Sequence, residues 1–201
     1  MTFVADNVPD LTDTQAFAGL LRTVHSLSRR SRVIVCHADY AGAPAVAAGA
    51  SDLGSGWDRA MRYFDPRSFQ VTTPGIRIPA SYVTQGRLAA VLRRDTADAI
   101  TRLGDPPASD LRGGPMPPDD TAERRHHLRQ LHDLVTQVNM HGTDRHARVR
   151  ALRAFYEQAL GDFDGLLSRL PNRTLSMGSR QRWLDDPYAA LRTYADDEGL
   201  W

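Results

Sequence analysis

Between positions 120 and 163 the apolar residues keep a helical period with a single break. Leu128, Leu131, Leu134, Val135 and Val138 form one run, and Val149, Leu152, Phe155, Tyr156, Leu160 and Phe163 form the next. Side chains three and four apart share one face of an α-helix, so each run predicts an amphipathic helix. Asp120 and Glu123 have the spacing of an Asp-type capping box at the start of the first helix. Gly142 ends it, and Thr143 or Asp144 caps the second. So short a link predicts an antiparallel helical hairpin, closed by Leu170-Pro171. A tail follows in which Tyr188, Leu191 and Tyr194 repeat the helical spacing behind Asp186 and Pro187.

The N-terminal half reads differently. Phe17, Leu20, Leu21, Val24 and Leu27 predict a helix capped by Asp13 or Thr14 and closed by Arg29 and Arg30. The β-branched stretch from Arg32 to Asp39 predicts a strand buried on both faces. An Ala/Gly-rich loop follows, from Tyr40 to Gly56, with room for a short helix over Pro44–Ala50. Trp57–Phe64 suggests one or two helical turns. Residues 69–72 and 76–78 suggest a hairpin about Thr73-Pro74-Gly75. Ser81 or Thr84 then opens a helix carrying Leu88, Val91, Leu92, Ile100 and Leu103, with Gly104 as its terminator.

The expected fold class is therefore predominantly α-helical (α+β), with a small N-terminal strand and hairpin region packed against a C-terminal helical hairpin and tail helix. Residues 1–104 form the mixed region and 119–201 the helical one. The Pro- and Gly-rich segment 105–118 joins them as a linker or lid within one integrated domain.

Composition narrows the chemistry. The chain has 201 residues, 41% of them apolar, enough for a sizeable core. Its start, MTFVADNVPDLTDT, lacks the basic and long apolar regions of a signal peptide. No run is long and apolar enough to span a bilayer, so the expected location is cytoplasmic. All 25 basic side chains are Arg, and the acids are 21 Asp against three Glu. Without Lys there is no internal aldimine for pyridoxal phosphate, no Walker-type phosphate loop and no kinase strand Lys. The single cysteine, Cys36, excludes an intrachain disulfide and a Cys-rich zinc site. A net charge of +1 argues against nucleic acid as the main partner.

Cys36, His37 and Asp39 stand at the end of the expected strand. In extended backbone His37 and Asp39 would share a face beside a Gly-rich loop, a location suited to an acid–base pair. Cys36, in phase with Ile34, reads as a buried hydrophobe. Five of the seven histidines fall between 126 and 146. Glu123 and His126 have the Glu-x-x-His spacing of carboxylate-bridged dimetal sites, but no second such motif exists, and no metal site is assigned. His132, beside the apolar stripe, is a further candidate base or axial ligand. Arg77, set between Ile76 and Ile78, and Arg87 could anchor a substrate carboxylate, with Trp57 beside them.

Three functions fit these residues. The first is a small metabolic enzyme using His37, Asp39 or His132 as acid–base groups on a carboxylate-bearing or amino-acid-like molecule. The second is a helical module that docks a partner protein, rimmed by Trp183, Tyr188 and Trp201. The third is a haem- or metal-dependent oxygenase with a His ligand. Cofactor identity and homo-oligomerisation stay open at this level; pyridoxal phosphate alone is excluded.

Overall fold

The computed structural model describes residues 13–57, 81–170, 175 and 180–201. Its first helix, α1 (Thr14–Ser28), is capped by the Asp13 carboxylate, which accepts from Ala16 N at 2.9 Å. Phe17, Leu21 and Val24 are buried, whereas Leu27, in the last turn, is 41% exposed.

The strand that follows, β1 (Ile34–Cys36), is shorter and more exposed than its β-branched sequence suggests. It pairs in parallel with β2 (Asp52–Gly54), with Ile34 opposite Asp52 and Cys36 opposite Gly54. Ile34 is 56% exposed and Cys36 is exposed as well, so neither the two-sided burial nor the buried cysteine is observed.

Parallel neighbours need a crossover, usually through a helix. Here it is a 3-10 turn (Asp39–Gly42) running into α2 (Ala43–Ala47). All five residues of α2 are buried, and the helix packs against α1 and three later helices. Small side chains allow a helix this central to be approached closely from several sides. The Ala/Gly composition that reads as a loop is thus the composition of the core's hub. Carbonyls at its C-terminal end are also met from α6 (Arg145–Arg169). Arg148 Nη1 donates to Val46 O at 3.1 Å and Arg145 Nε to Ala48 O at 3.3 Å.

Residues 82–93 form a hairpin where a helix was expected. β3 (Tyr82–Gln85) and β4 (Ala90–Arg93) are antiparallel, with Val83 opposite Leu92 and Thr84 opposite Val91. The β-branched residues Val83, Thr84 and Val91 suit the pleat, and Ala89, at φ 48°, turns the chain between the strands. Helix α3 begins only at Arg94 and ends at Leu103, with Gly104 left-handed after it. The hairpin expected over 69–78 and the helical turns expected beyond Trp57 lie outside the described residues.

The middle of the Pro- and Gly-rich segment is α4 (Ala108–Arg112), with Leu111 0% and Arg112 3% exposed. Helix α5 (Asp120–Asn139) is capped by Asp119, whose carboxylate accepts from Ala122 N at 2.7 Å. The expected Asp120–Glu123 box is not the one used, because Glu123 turns into the core. α6 is capped by Asp144, which accepts from Ala147 N at 3.0 Å, and packs beside α5. A π-helical turn (Gln181–Asp185) leads into α7 (Asp186–Glu198), with Pro187 in its first turn. α7 lies along α1, where Tyr194 Oη meets His25 Nδ1 at 2.9 Å and Arg22 pairs with Asp197. One cluster of buried apolar side chains runs from Phe17 to Leu200. The fold is mostly helical, with two small sheets among the described residues, and no described helix is long and apolar enough to cross a membrane.

Candidate functional site

Three side chains of α5 converge on one residue of β3. Glu123, His126 and His127 occupy positions i, i+3 and i+4 and so share a helical face. That face meets Thr84. Glu123 Oε1 accepts from the Thr84 backbone N–H at 2.8 Å and lies 2.7 Å from the Thr84 hydroxyl. The same hydroxyl is 3.0 Å from His127 Nδ1. His126 Nε2, which must donate, lies 3.2 Å from the Thr84 carbonyl. His127 Nε2 lies 3.1 Å from Asp39 Oδ1, a close electrostatic contact off the line of an ideal hydrogen bond. The Tyr40 ring stands edge-on to the imidazole, centroids 5.7 Å apart.

The Thr84 hydroxyl has one hydrogen and two acceptors within reach, so it can point in two directions. If it donates to Glu123, His127 donates Nδ1–H to the hydroxyl oxygen, as the neutral Nδ1–H tautomer or as an imidazolium that also turns an Nε2–H toward Asp39. If it donates to His127 Nδ1, Glu123 must carry a proton and donate it to the hydroxyl. The imidazolium form and this last state hold the same number of protons and differ by a concerted shift through Thr84.

Burial raises the stakes of every contact here. Thr84 and His127 are fully buried; Asp39 and Glu123 keep 4% and 7% exposure. Burial also holds the His126 imidazole below its ordinary value, against the opposing pull of Glu123. Arg112 supplies the nearby positive charge. Burial lowers its pKa, Asp98 and Glu123 oppose that, and it donates to Gly114 O and Thr101 Oγ1 at 3.1 and 3.2 Å. Gln85, Arg112 and Glu123 each keep a buried polar side-chain atom without a hydrogen-bond partner among the described residues.

The residues expected from sequence are dispersed. β1 ends at Cys36, and His37 and Asp39 both have positive φ, 57° and 48°. Strand alternation therefore does not extend to them. His37 is exposed while Asp39 is buried against His127. Positive φ at non-glycine residues is uncommon and costs conformational energy. His132 is exposed on α5, with Nε2 3.4 Å from Thr136 Oγ1. Arg87 is engaged by Asp162, Nε to Oδ2 2.6 Å, which leaves little unbalanced charge for a substrate carboxylate. Trp57 is 41% exposed, under the Arg124 guanidinium. Arg77 lies outside the described residues. Comparison with family models, with curated proteins and with solved structures finds no match.

Among the described residues no group of three or more His, Cys, Asp or Glu side chains is placed to hold a metal ion. The Glu-x-x-His spacing serves to grip a strand instead. Thr84, Glu123 and His127 were not among the sequence candidates. The signal was present, since Glu123 and His127 stand eight and four positions before Leu131, in phase with the buried stripe of α5.

Proposed function

We propose that this chain is a small enzyme that works by proton transfer, with His127 as its buried proton carrier. The observation that carries the reading is the Glu123–Thr84–His127 chain with Asp39 against its far end. Asp39 keeps the orienting role expected from sequence, but for His127 rather than His37. A carboxylate beside an imidazole orients the ring. In this reading protons enter or leave at Asp39 or Glu123, the members that keep slight exposure. The imidazoles of His37 and His132, like those of His141 and His146, are exposed and open to a substrate.

The test compares wild type with His127→Gln, both checked for fold by circular dichroism. Each is incubated with a small-molecule cell extract in D2O, and mass spectrometry follows depletion or deuterium gain. The expected result is a compound altered by wild type and untouched by the variant. Equal conversion by His127→Gln, or no conversion by wild type, overturns the reading.

A second reading, docking of a partner protein, has one observation in its favour. Met140 is 78% exposed above a shallow recess floored by Leu134, Val138 and Phe155. Met140→Glu should abolish a complex recovered with wild type while leaving thermal unfolding unchanged; retention of the complex counts against this reading.

A further inference from the structure

The groove between β2 and the C-terminal half of α5 is separate from the proton chain and has the features of a ligand site. Its volume is about 520 Å³, and Leu53, Leu131 and Val135 form its apolar part. Small-molecule sites combine such a surface with a few polar groups that fix orientation. Its polar groups include His132, Ser55 and Asn139. Ser55 Oγ and Asn139 Oδ1 are buried atoms with no hydrogen-bond partner among the described residues. A buried acceptor left unmatched is costly, so Asn139 Oδ1 calls for a donor.

Charge selects among ligands. Among the described residues no Arg lines the groove, and the one acid there, Asp52, is held by Arg32, Nε to Oδ2 2.8 Å. A carboxylate or phosphate entering here would lose hydration with no guanidinium to replace it. A cation would compete with Arg32 for Asp52. We propose that the β2–α5 groove binds an uncharged small molecule with a flat apolar body and an N–H or O–H group that donates to Asn139 Oδ1. In the enzyme reading this is the substrate site, with His132 beside it. Binding itself does not depend on that reading, because none of the groove residues belongs to the proton chain.

The experiment is an NMR titration of the full chain, labelled with 15N, using two probes of nearly the same shape, 2-naphthamide and 2-naphthoate. 2-Naphthamide should shift the backbone resonances of Leu53, Ser55, Leu131 and Asn139, with Kd on the order of 1 mM for so small a probe. 2-Naphthoate should bind at least about tenfold more weakly, the effect of an uncompensated charge. Asn139→Leu should weaken the amide about tenfold. Shifts confined to other parts of the chain, or none, overturn the site. Equal binding of amide and carboxylate overturns the uncharged ligand class, and it does so on wild type alone if the variant fails to fold. Full affinity in a folded Asn139→Leu variant overturns the donor contact. If His127→Gln binds the amide normally yet turns nothing over in a mixture that wild type converts, both readings stand. If wild type binds the amide and converts nothing, the enzyme reading alone fails.

Discussion

Thr84 Oγ1 lies 3.0 Å from His127 Nδ1 across 43 positions of sequence. Through this contact and those to Glu123 and His126, the β3–β4 hairpin is fastened to α5 by every polar atom of one threonine. A strand residue that satisfies three buried side chains of a helix fixes register as well as position, because a slip by one residue would turn Thr84 to the other face.

Thr84→Val keeps shape and β-propensity but removes the hydroxyl. Glu123 and His127 then stay buried with one partner fewer. The expected loss is about 1–3 kcal/mol, the cost of an unsatisfied buried polar group. Urea unfolding measures it, and Thr84→Ser should recover most of it. A Thr84→Val protein as stable as wild type would mean that the contact contributes nothing net.

Asp39 combines a left-handed backbone with a buried carboxylate. Asn tolerates that backbone and Ala does not, at a difference of roughly 1 kcal/mol. Urea midpoints at constant slope should therefore fall in the order wild type, Asp39→Asn, Asp39→Ala. The reverse order of the two variants would show that the backbone at this position is not strained.

Ala47 is fully buried where α2 meets its neighbouring helices. Ala47→Leu adds volume where nothing can yield cheaply, and overpacking of this kind costs about 1–3 kcal/mol. If the Ala/Gly segment were a surface loop, the same change would be silent in thermal unfolding.

Acid should destabilise the fold before its ordinary carboxylates titrate. Burial lowers the pKa of both His25 and His126 below the ordinary 6.5. Around His25, Arg145 and Arg29 add to the lowering and Glu198 opposes it. The unfolded chain binds these protons first, so the contribution is fully present above about pH 6.5 and is lost as pH falls through the lower folded values. Tm should drop between pH 7.5 and 5.5, and His126→Gln should flatten that drop. A Tm that does not change over this interval rules the mechanism out.

The helical hairpin and tail were legible in the sequence because their information is local. Caps at Asp13 and Asp144, the stop at Gly142 and the three-and-four spacing of Leu131, Leu134 and Val138 each act within a turn or two. The hairpin at 82–93 was not. Leu88, Val91 and Leu92 fit a helical period as well as a strand pair, and only pairing partners and the grip of α5 on Thr84 decide between them. The grouping of the candidate residues was not legible for the same reason. Asp39 stood out as a carboxylate at a strand end, but the imidazole it meets lies on another element.

By itself, then, the sequence determined where the C-terminal helices run, the absence of lysine chemistry and the mainly helical class. Tertiary structure alone decided that an Ala/Gly stretch becomes the buried hub, that a Pro/Gly segment carries a packed helix, and that Glu123 turns inward instead of capping. Each of these depends on close approach between elements far apart in the chain. Period and capping are properties of a few adjacent residues, whereas burial, partner choice and the cost of an unpaired polar group exist only once distant segments have met.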